Sequence, residues 1–487
     1  MILSQIIKNC GVLSCSADTG FQVCDVVCDS RRVAPGCLFV AVNGCGNDGR
    51  AYIGKAVENG AAAVMYEDNG TQVPEGVCAI KVADSRKAVA MAADAFYGHP
   101  SGDLKLVGIT GTNGKTTTVT LLYNMFRSLG YECGLLSTIA NYVGSERLET
   151  ANTTSDPLTI NSLLRRMADQ GCQYCFMEVS SIGVEQERVT GLEFAVGIFS
   201  NLTHDHLDYH GTFAEYLRCK KLFFDRLGPK ATAIVNADDK HGEVMLQNTA
   251  AAKMTYSCRS MADHCCRILE QSPEGMLLRI DGSELWTRLI GAHNAYNLLA
   301  IYCTALALGE DRDEVLTALS ALEPAPGRMD TIHGPRGLCA VIDYAHTPDA
   351  LENVLKTLKG VACGRQLVCL FGCGGDRDRT KRPEMAAVAE KWADRIFVTS
   401  DNSRTERTED IMADIRAGFS PAGLAKAVFI ADRKEAIRTA LMLSPDGATV
   451  LLAGKGHETY QIIGTEKTHF DEKEIVNDIF KQCSTTL

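Results

Sequence analysis

Short apolar runs, each closing on glycine or charged residues and most followed by a helical stretch, recur along the chain. In the first hundred residues they are CLFVAV (37–42) and AAAVMY (61–66), with a helical stretch between them that stops near Gly60. His99-Pro100-Ser101-Gly102 then punctuates the chain. The next block repeats the rhythm as LVGIT, YCFMEVSS, AVGIFSN and TAIVNAD, and closes with the helix HNAYNLLAIYCTALALG (293–309) and the loop EPAPGRMD (323–330). Beyond Gly334-Pro335 it restarts as LCAVIDYAH, QLVCLFGCGGDRD, RIFVTSDNSR, AVFIADR and TVLLAGKGHE. This pattern predicts an α/β protein of three domains, 1–99, 100–332 and 333–487, with mostly parallel sheets. Five polar strand ends in a row in the last block predict a binding crevice along that sheet's carboxyl edge.

The strand before residue 111 runs into a glycine-broken loop, VGITGTNGKTTT (107–118), whose lysine opens a helix. Gly111 and Gly114 allow amide N–H groups to converge on an anion, with Thr112 and Asn113 between them. Lys115 adds a point charge, Thr116 offers a hydroxyl to Mg²⁺, and Thr117 continues the helix start. Ile109 stands where a strict P-loop has glycine, so an ordinary P-loop NTPase fits poorly.

Composition narrows the partners. The 487 residues are 46% hydrophobic and 22% charged, enough for a packed core in each domain, and the formal charge of −11 argues against nucleic-acid or membrane-surface binding. No signal segment or membrane span is evident, which predicts a cytoplasmic protein with its 20 cysteines reduced. Cys172 and Cys175 form a CxxC, but they flank a strand, and core thiols are the expected reading.

Glu178 ends its apolar run as a metal-binding acid would. NLTHDHLDYHGT brings His204, His206 and His210 close together, without the accompanying residues of a zinc site. Lys220 and Lys221 in YLRCKKLFF read by composition as surface lysines on a helix.

TGTNGKTTT, EVSS, NLTHDHLDYHGT, GRMD, DYAHTPD, GCGGDRDRTKRP, DNSR and GKGHE occur in the order found in the Mur ligase family, which the chain resembles over essentially its whole length. Its N-terminal segment, CDSRRVAPGCLFVAVNGCGNDGRAYIGKAVENGAAAVM, resembles the uridine-nucleotide-binding domain of the branch that extends a UDP-linked muramoyl dipeptide with a diamino acid. The resemblance implies a uridine-nucleotide domain, a central P-loop-type ATPase domain and a C-terminal Rossmann-like domain. It implies ATP-dependent amide formation in peptidoglycan precursor synthesis through an acyl phosphate. The acceptor would be UDP-N-acetylmuramoyl-L-alanyl-D-glutamate and the added amino acid meso-2,6-diaminopimelate. Alternatives are L-lysine as the added amino acid, or a folylpolyglutamate-type ligase. A monomer is expected.

By position in the family motifs, Lys115, Glu178, His206 and Lys220 would be catalytic, and Thr116, Glu178, His206 and a carbamylated Lys220 would hold Mg²⁺. Residues 111–117 with Asn294, Arg328 and Asp343 would contact ATP. Ser30, Asn152, Thr153, Thr154, Ser180 and Arg188 would bind the UDP-dipeptide. Arg377, Asp401, Asn402, Arg404, Gly454 and Glu458 would bind diaminopimelate, Arg404 pairing with the second carboxylate that lysine lacks. The chain departs from the family at Ser403 and Ser155, where proline is usual, and at Ile182, where histidine is.

Overall fold

The structure, a computed structural model, describes all residues except 45–47, 68–69, 151, 204–206, 363 and 486–487. The expected His206 therefore lies outside the described residues, as does His204. The architecture is three-domain α/β with mostly parallel sheets. The chain divides into two compact units, Met1–Cys265 with Leu299–Val315, and Cys266–Leu298 with Leu316–Leu487.

In the first unit, a five-stranded sheet has strands Val26–Val27, Leu38–Ala41, Ala63–Glu67 and Cys78–Val82 in parallel, with Val12–Cys15 antiparallel at one edge. A second sheet carries the phosphate-loop strand Lys105–Thr110 at its centre, paired in parallel with Tyr174–Glu178 on one side and Phe194–Phe199 on the other. All five residues of Tyr174–Glu178 are buried, as expected of a parallel strand covered on both faces. This placement gathers the loops after the three strands, which start at Gly111, Val179 and Ser200, at one carboxyl edge.

The two layers of this unit are joined beside that edge. Leu158, on the helix Pro157–Asp169, packs into the core of the five-stranded sheet, and Arg86 pairs with Glu185 at 3.2 Å.

In the second unit, Thr449–Ala453 lies between Cys339–Asp343 and Leu367–Phe371, all parallel, followed by Arg395–Val398 and Ala427–Phe429. Every residue of the three central strands is buried. The predicted strands and the helix Ala292–Leu308 are present. Periodicity did not signal the antiparallel additions, among them Gly275–Ile280 with Ser283–Thr287 and Tyr460–Ile463 with Glu466–His469. Ser283–Thr287, Tyr460–Ile463 and Glu466–His469 keep exposed or half-exposed positions along their length, so these three lack a continuous apolar run. Among the described residues no helix is long and apolar enough to cross a membrane.

Candidate active site

The phosphate loop is built around its glycines. Gly111 has φ +150°, and a Cβ there would collide with Ser200 Oγ; Gly114, at φ +89°, starts the helix Lys115–Ser128. Asn201 and Ser200 brace the loop from the neighbouring strand end. Asn113 N donates to Asn201 Oδ1 (3.0 Å), and Ser200 Oγ donates to the Asn113 carbonyl (2.7 Å).

Cationic groups converge on this loop. Lys115 Nζ donates to the carbonyls of Gly111 (2.9 Å) and Thr112 (2.8 Å), and Lys220 Nζ reaches the same Gly111 carbonyl at 2.8 Å. Lys220 corrects the surface reading: it is 1% exposed, its ammonium 4.6 Å from the Tyr216 ring centroid. Position 220 falls on the inward face of the helix Phe213–Asp225 with Tyr216, Phe223 and Phe224, whereas Lys221 turns outward to pair with Asp225. Tyr216 itself reaches the loop through Thr112 Oγ1 at 3.0 Å.

From the loop a continuous hydrogen-bonded chain runs along the sheet edge. Thr116 Oγ1 donates to Glu178 Oε2 (3.0 Å), and Thr138 N donates to Glu178 Oε1 (2.8 Å). The Glu178 carbonyl accepts from Thr154 Oγ1 (2.8 Å), which in turn accepts from Ser180 N (3.0 Å). Arg188 Nη1 donates to the Thr154 carbonyl at 2.6 Å, while its Nε and Nη2 both reach Gln186 Oε1. Thr138 Oγ1 donates to Thr153 Oγ1 (3.0 Å), and Ser180 Oγ caps the helix Ser181–Glu185 by accepting from Gly183 N. Buried at 1% exposure, Glu178 is no solvated strand-end acid.

The remaining expected residues of this unit stand outside that chain. Ser30 opens a short 3₁₀ turn in the five-stranded sheet's domain, its carbonyl held by Asn59 Nδ2 at 2.8 Å. Asn152 is exposed, its carbonyl accepting from Thr150 Oγ1. His210 is buried with Nε2 at 2.9 Å from Ser181 Oγ. Burial raises the thiol of Cys172 and pushes that of Cys175 well up, which disfavours the thiolate, in keeping with core packing.

In the second unit, Asp343 accepts from the backbone N–H groups of Met329 (2.8 Å) and Ala345 (2.9 Å), fastening the GRMD loop to a strand end. Burial raises the Asp343 carboxyl, and the Arg328 cation opposes that shift. Arg328 lies over the Tyr344 ring, 4.9 Å from its centroid, with a buried Nε that has no hydrogen-bond partner among the described residues. Asn294 uses its amide locally, donating to the Ile290 carbonyl and accepting from Asn297.

The expected amino-acid residues form a second cluster at the same sheet edge. Asn402 Nδ2 donates to Glu458 Oε2 (2.9 Å), and Asn402 N donates to Asp401 Oδ1 (2.7 Å). Arg404, in the left-handed region at φ +49°, donates from Nη1 to the Gly375 carbonyl (2.9 Å). Gly454 has φ +117°, and a Cβ there would press on Asp401 Oδ2. Arg377 is exposed, and its Nη1 donates to the Asp376 carbonyl at 3.3 Å.

Two residues that sequence reasoning passed over support this cluster. Lys455, inside the GKGHE motif, is fully buried among Asp401, Asn402 and Glu458. Arg382, also fully buried, binds Glu406, Asp414 and the Gly374 carbonyl, so it ties the GGDRD loop to the segment after Arg404. Glu406 is held down to about 2 from 4.5, chiefly by hydrogen bonds from Arg382 and then by the Asp376 N–H. A depressed carboxyl contributes stability that is present above the unfolded value, near 4.5, and lost as pH falls towards 2. Thermal melts of Arg382→Met should therefore show a shallower acid decline than the native protein over that window, and parallel declines would contradict the assignment.

Comparison with known proteins bears on this geometry. The model of the Mur ligase middle domain matches residues 109–305, that of the Mur ligase glutamate ligase domain 327–456, and that of the Mur ligase family catalytic domain 23–99. A Bacteroides fragilis UDP-N-acetylmuramoyl-L-alanyl-D-glutamate--2,6-diaminopimelate ligase is 50% identical over 99% of both chains. The chain belongs to the Mur ligase family. Another Mur ligase of the same name, from Phocaeicola vulgatus, is 51% identical over 99% of both chains. A solved structure of a ligase of that name is 32% identical, with TM-score 0.73 over 99% of both chains. MurF from Acinetobacter baumannii, 19% identical with TM-score 0.65 over 98% of both chains, shares the fold.

Proposed function

We propose that this Mur ligase joins meso-2,6-diaminopimelate to the D-glutamate carboxylate of UDP-N-acetylmuramoyl-L-alanyl-D-glutamate, consuming ATP in the cytoplasm for peptidoglycan precursor synthesis. The observation that carries this is the hydrogen-bonded chain running from Thr116 through Glu178 and Thr154 to Arg188. It ties a phosphate loop to a guanidinium suited to a substrate carboxylate. The name shared by relatives about half identical to the whole chain supports the choice of substrates.

A carboxylate is a poor electrophile until it carries a good leaving group. In this reading its oxygen attacks the γ-phosphorus of ATP, ADP leaves, and the resulting acyl phosphate is attacked by the amine of the amino acid. The tetrahedral adduct then expels phosphate, leaving the amide. Lys115, with the backbone amides of residues 111–117, would neutralise the charge gathered on the transferred phosphoryl group. The adjoining Thr116 hydroxyl and buried Glu178 carboxylate are hard oxygen donors that fit Mg²⁺, with His206 and Lys220 as further ligands. When bound, the ion would add positive charge beside the phosphates. Carbamylation of Lys220 would turn its buried ammonium into an anionic ligand at the loop. Asn294, Arg328 and Asp343 are the further ATP contacts. Arg188 with Thr153, Thr154, Ser180, Asn152 and Ser30 would hold the UDP-dipeptide.

Arg404, Asn402, Asp401, Glu458, Gly454 and Arg377 would take the distal amino-acid centre of diaminopimelate, whose carboxylate suits a guanidinium and whose ammonium suits Glu458. The division at 99/100 and 332/333 and a monomeric state belong to the same reading. Its test is ATP turnover by the purified chain with magnesium. The proposal requires multiple-turnover ADP release that depends on both the UDP-dipeptide and an amino acid; sustained turnover with either omitted would refute it.

A further inference from the structure

The amino-acid cluster contains one charged group that has no role in the reading above, and its surroundings define what it does. Lys455 follows Gly454 at the end of the buried strand Thr449–Ala453 and has no exposed surface. Its ammonium lies 3.1 Å from Asn402 Oδ1, 3.2 Å from Glu458 Oε2 and 3.6 Å from Asp401 Oδ1. The rings of Tyr460 and Phe470 close the far side, with centroids at 5.8 and 5.9 Å. A buried ammonium is tolerated only where anions and acceptors surround it, and here the partners come from two separate loops.

Two consequences follow from these contacts. First, Asn402 Oδ1 accepts from both Lys455 Nζ and Ile462 N (2.9 Å), so the amide is oriented with its NH₂ group towards Glu458. Second, Lys455 offsets one of the two neighbouring carboxylates, leaving Asp401 and Glu458 with a single uncompensated negative charge. A ligand ammonium at Glu458 then meets one net negative charge from these three side chains, whereas without Lys455 it would meet two.

Resting on the amino-acid site of the proposed function, we propose that Lys455 is a positioning residue for amino-acid selection. It fixes the Asn402 amide as a donor and the Glu458 carboxylate as an acceptor, so that the pair receives a carboxylate and an ammonium held on one carbon. Lys455 acts through these two side chains and not on ATP or the UDP-dipeptide.

The test is steady-state kinetics of the full chain with magnesium, ATP, UDP-dipeptide and meso-diaminopimelate. Lys455→Met should raise KM for diaminopimelate about twentyfold or more, with kcat within about threefold and the KM values of ATP and UDP-dipeptide within about twofold. Lys455→Arg, which keeps a cation, should recover part of the loss. An unchanged diaminopimelate KM, or an equal loss for all three substrates, would overturn the proposal. Should Lys455→Met fail to fold, the variant Lys455→Met/Glu458→Gln, which removes one charge of each sign, is compared with Glu458→Gln alone. A further rise in diaminopimelate KM of about fivefold, from release of the Asn402 amide, supports the proposal, and equal values overturn it. Glu458→Gln with the native diaminopimelate KM would instead refute the amino-acid site itself, which separates the two failures.

Discussion

Lys115→Ala is expected to lower kcat by on the order of 10³-fold with every amino acid offered, because the lost cation serves phosphoryl transfer and not amino-acid recognition. The side chain also holds the Gly111 and Thr112 carbonyls, so some loosening of the loop is expected alongside. Thermal melting separates the two effects: the transition should stay cooperative while turnover collapses. The loss should be the same for diaminopimelate and for lysine. Activity within tenfold of native would contradict a phosphate-binding role for this loop.

Arg404→Ala is the counterpart with a selective outcome. It should lower kcat/KM for meso-diaminopimelate on the order of 10²-fold, since a forked guanidinium–carboxylate contact is lost, while the KM of ATP changes little. The backbone at this position is fixed independently, with Arg404 N donating to the Ile462 carbonyl and Gly464 N donating to that of Arg404. The loop should therefore keep its course in the variant. Arg404→Lys should recover little, because a point charge does not reproduce the fork. An equal fractional loss on diaminopimelate and on lysine would show that Arg404 shapes the loop without choosing the substrate.

The sequence made the parallel strands legible because they are buried on both faces and so read as unbroken apolar runs, as in YCFME and TVLLA. It also exposed the phosphate loop, whose glycines meet a backbone demand that no other residue satisfies at Gly111. What it concealed were buried charges. Lys220, Arg382, Lys455 and Arg433 are all nearly or wholly inaccessible, yet composition assigns lysine and arginine to the surface.

Each depends in part on partners distant in the chain, even where a near neighbour helps, as Glu458 does for Lys455 and Tyr216 for Lys220. Arg433, for example, donates to Glu472, to the Ser400 carbonyl and to the Ala453 carbonyl, which precede the two amino-acid loops. No local spacing announces such a contact. Thr138 was missed for a related reason: its backbone N–H, not its side chain, holds Glu178. At the departures Ser155 and Ser403, Asp156 caps the helix Pro157–Asp169 and Ser403 is buried.

The central claim is that diaminopimelate is the amino acid added, and one assay addresses it most directly. Purified enzyme with magnesium, ATP and UDP-N-acetylmuramoyl-L-alanyl-D-glutamate is given equal concentrations of meso-diaminopimelate and L-lysine together, and the UDP-linked products are resolved by mass. The account predicts the diaminopimelate tripeptide in large excess, with one ADP formed per amide. A product mixture dominated by the lysine tripeptide would contradict it.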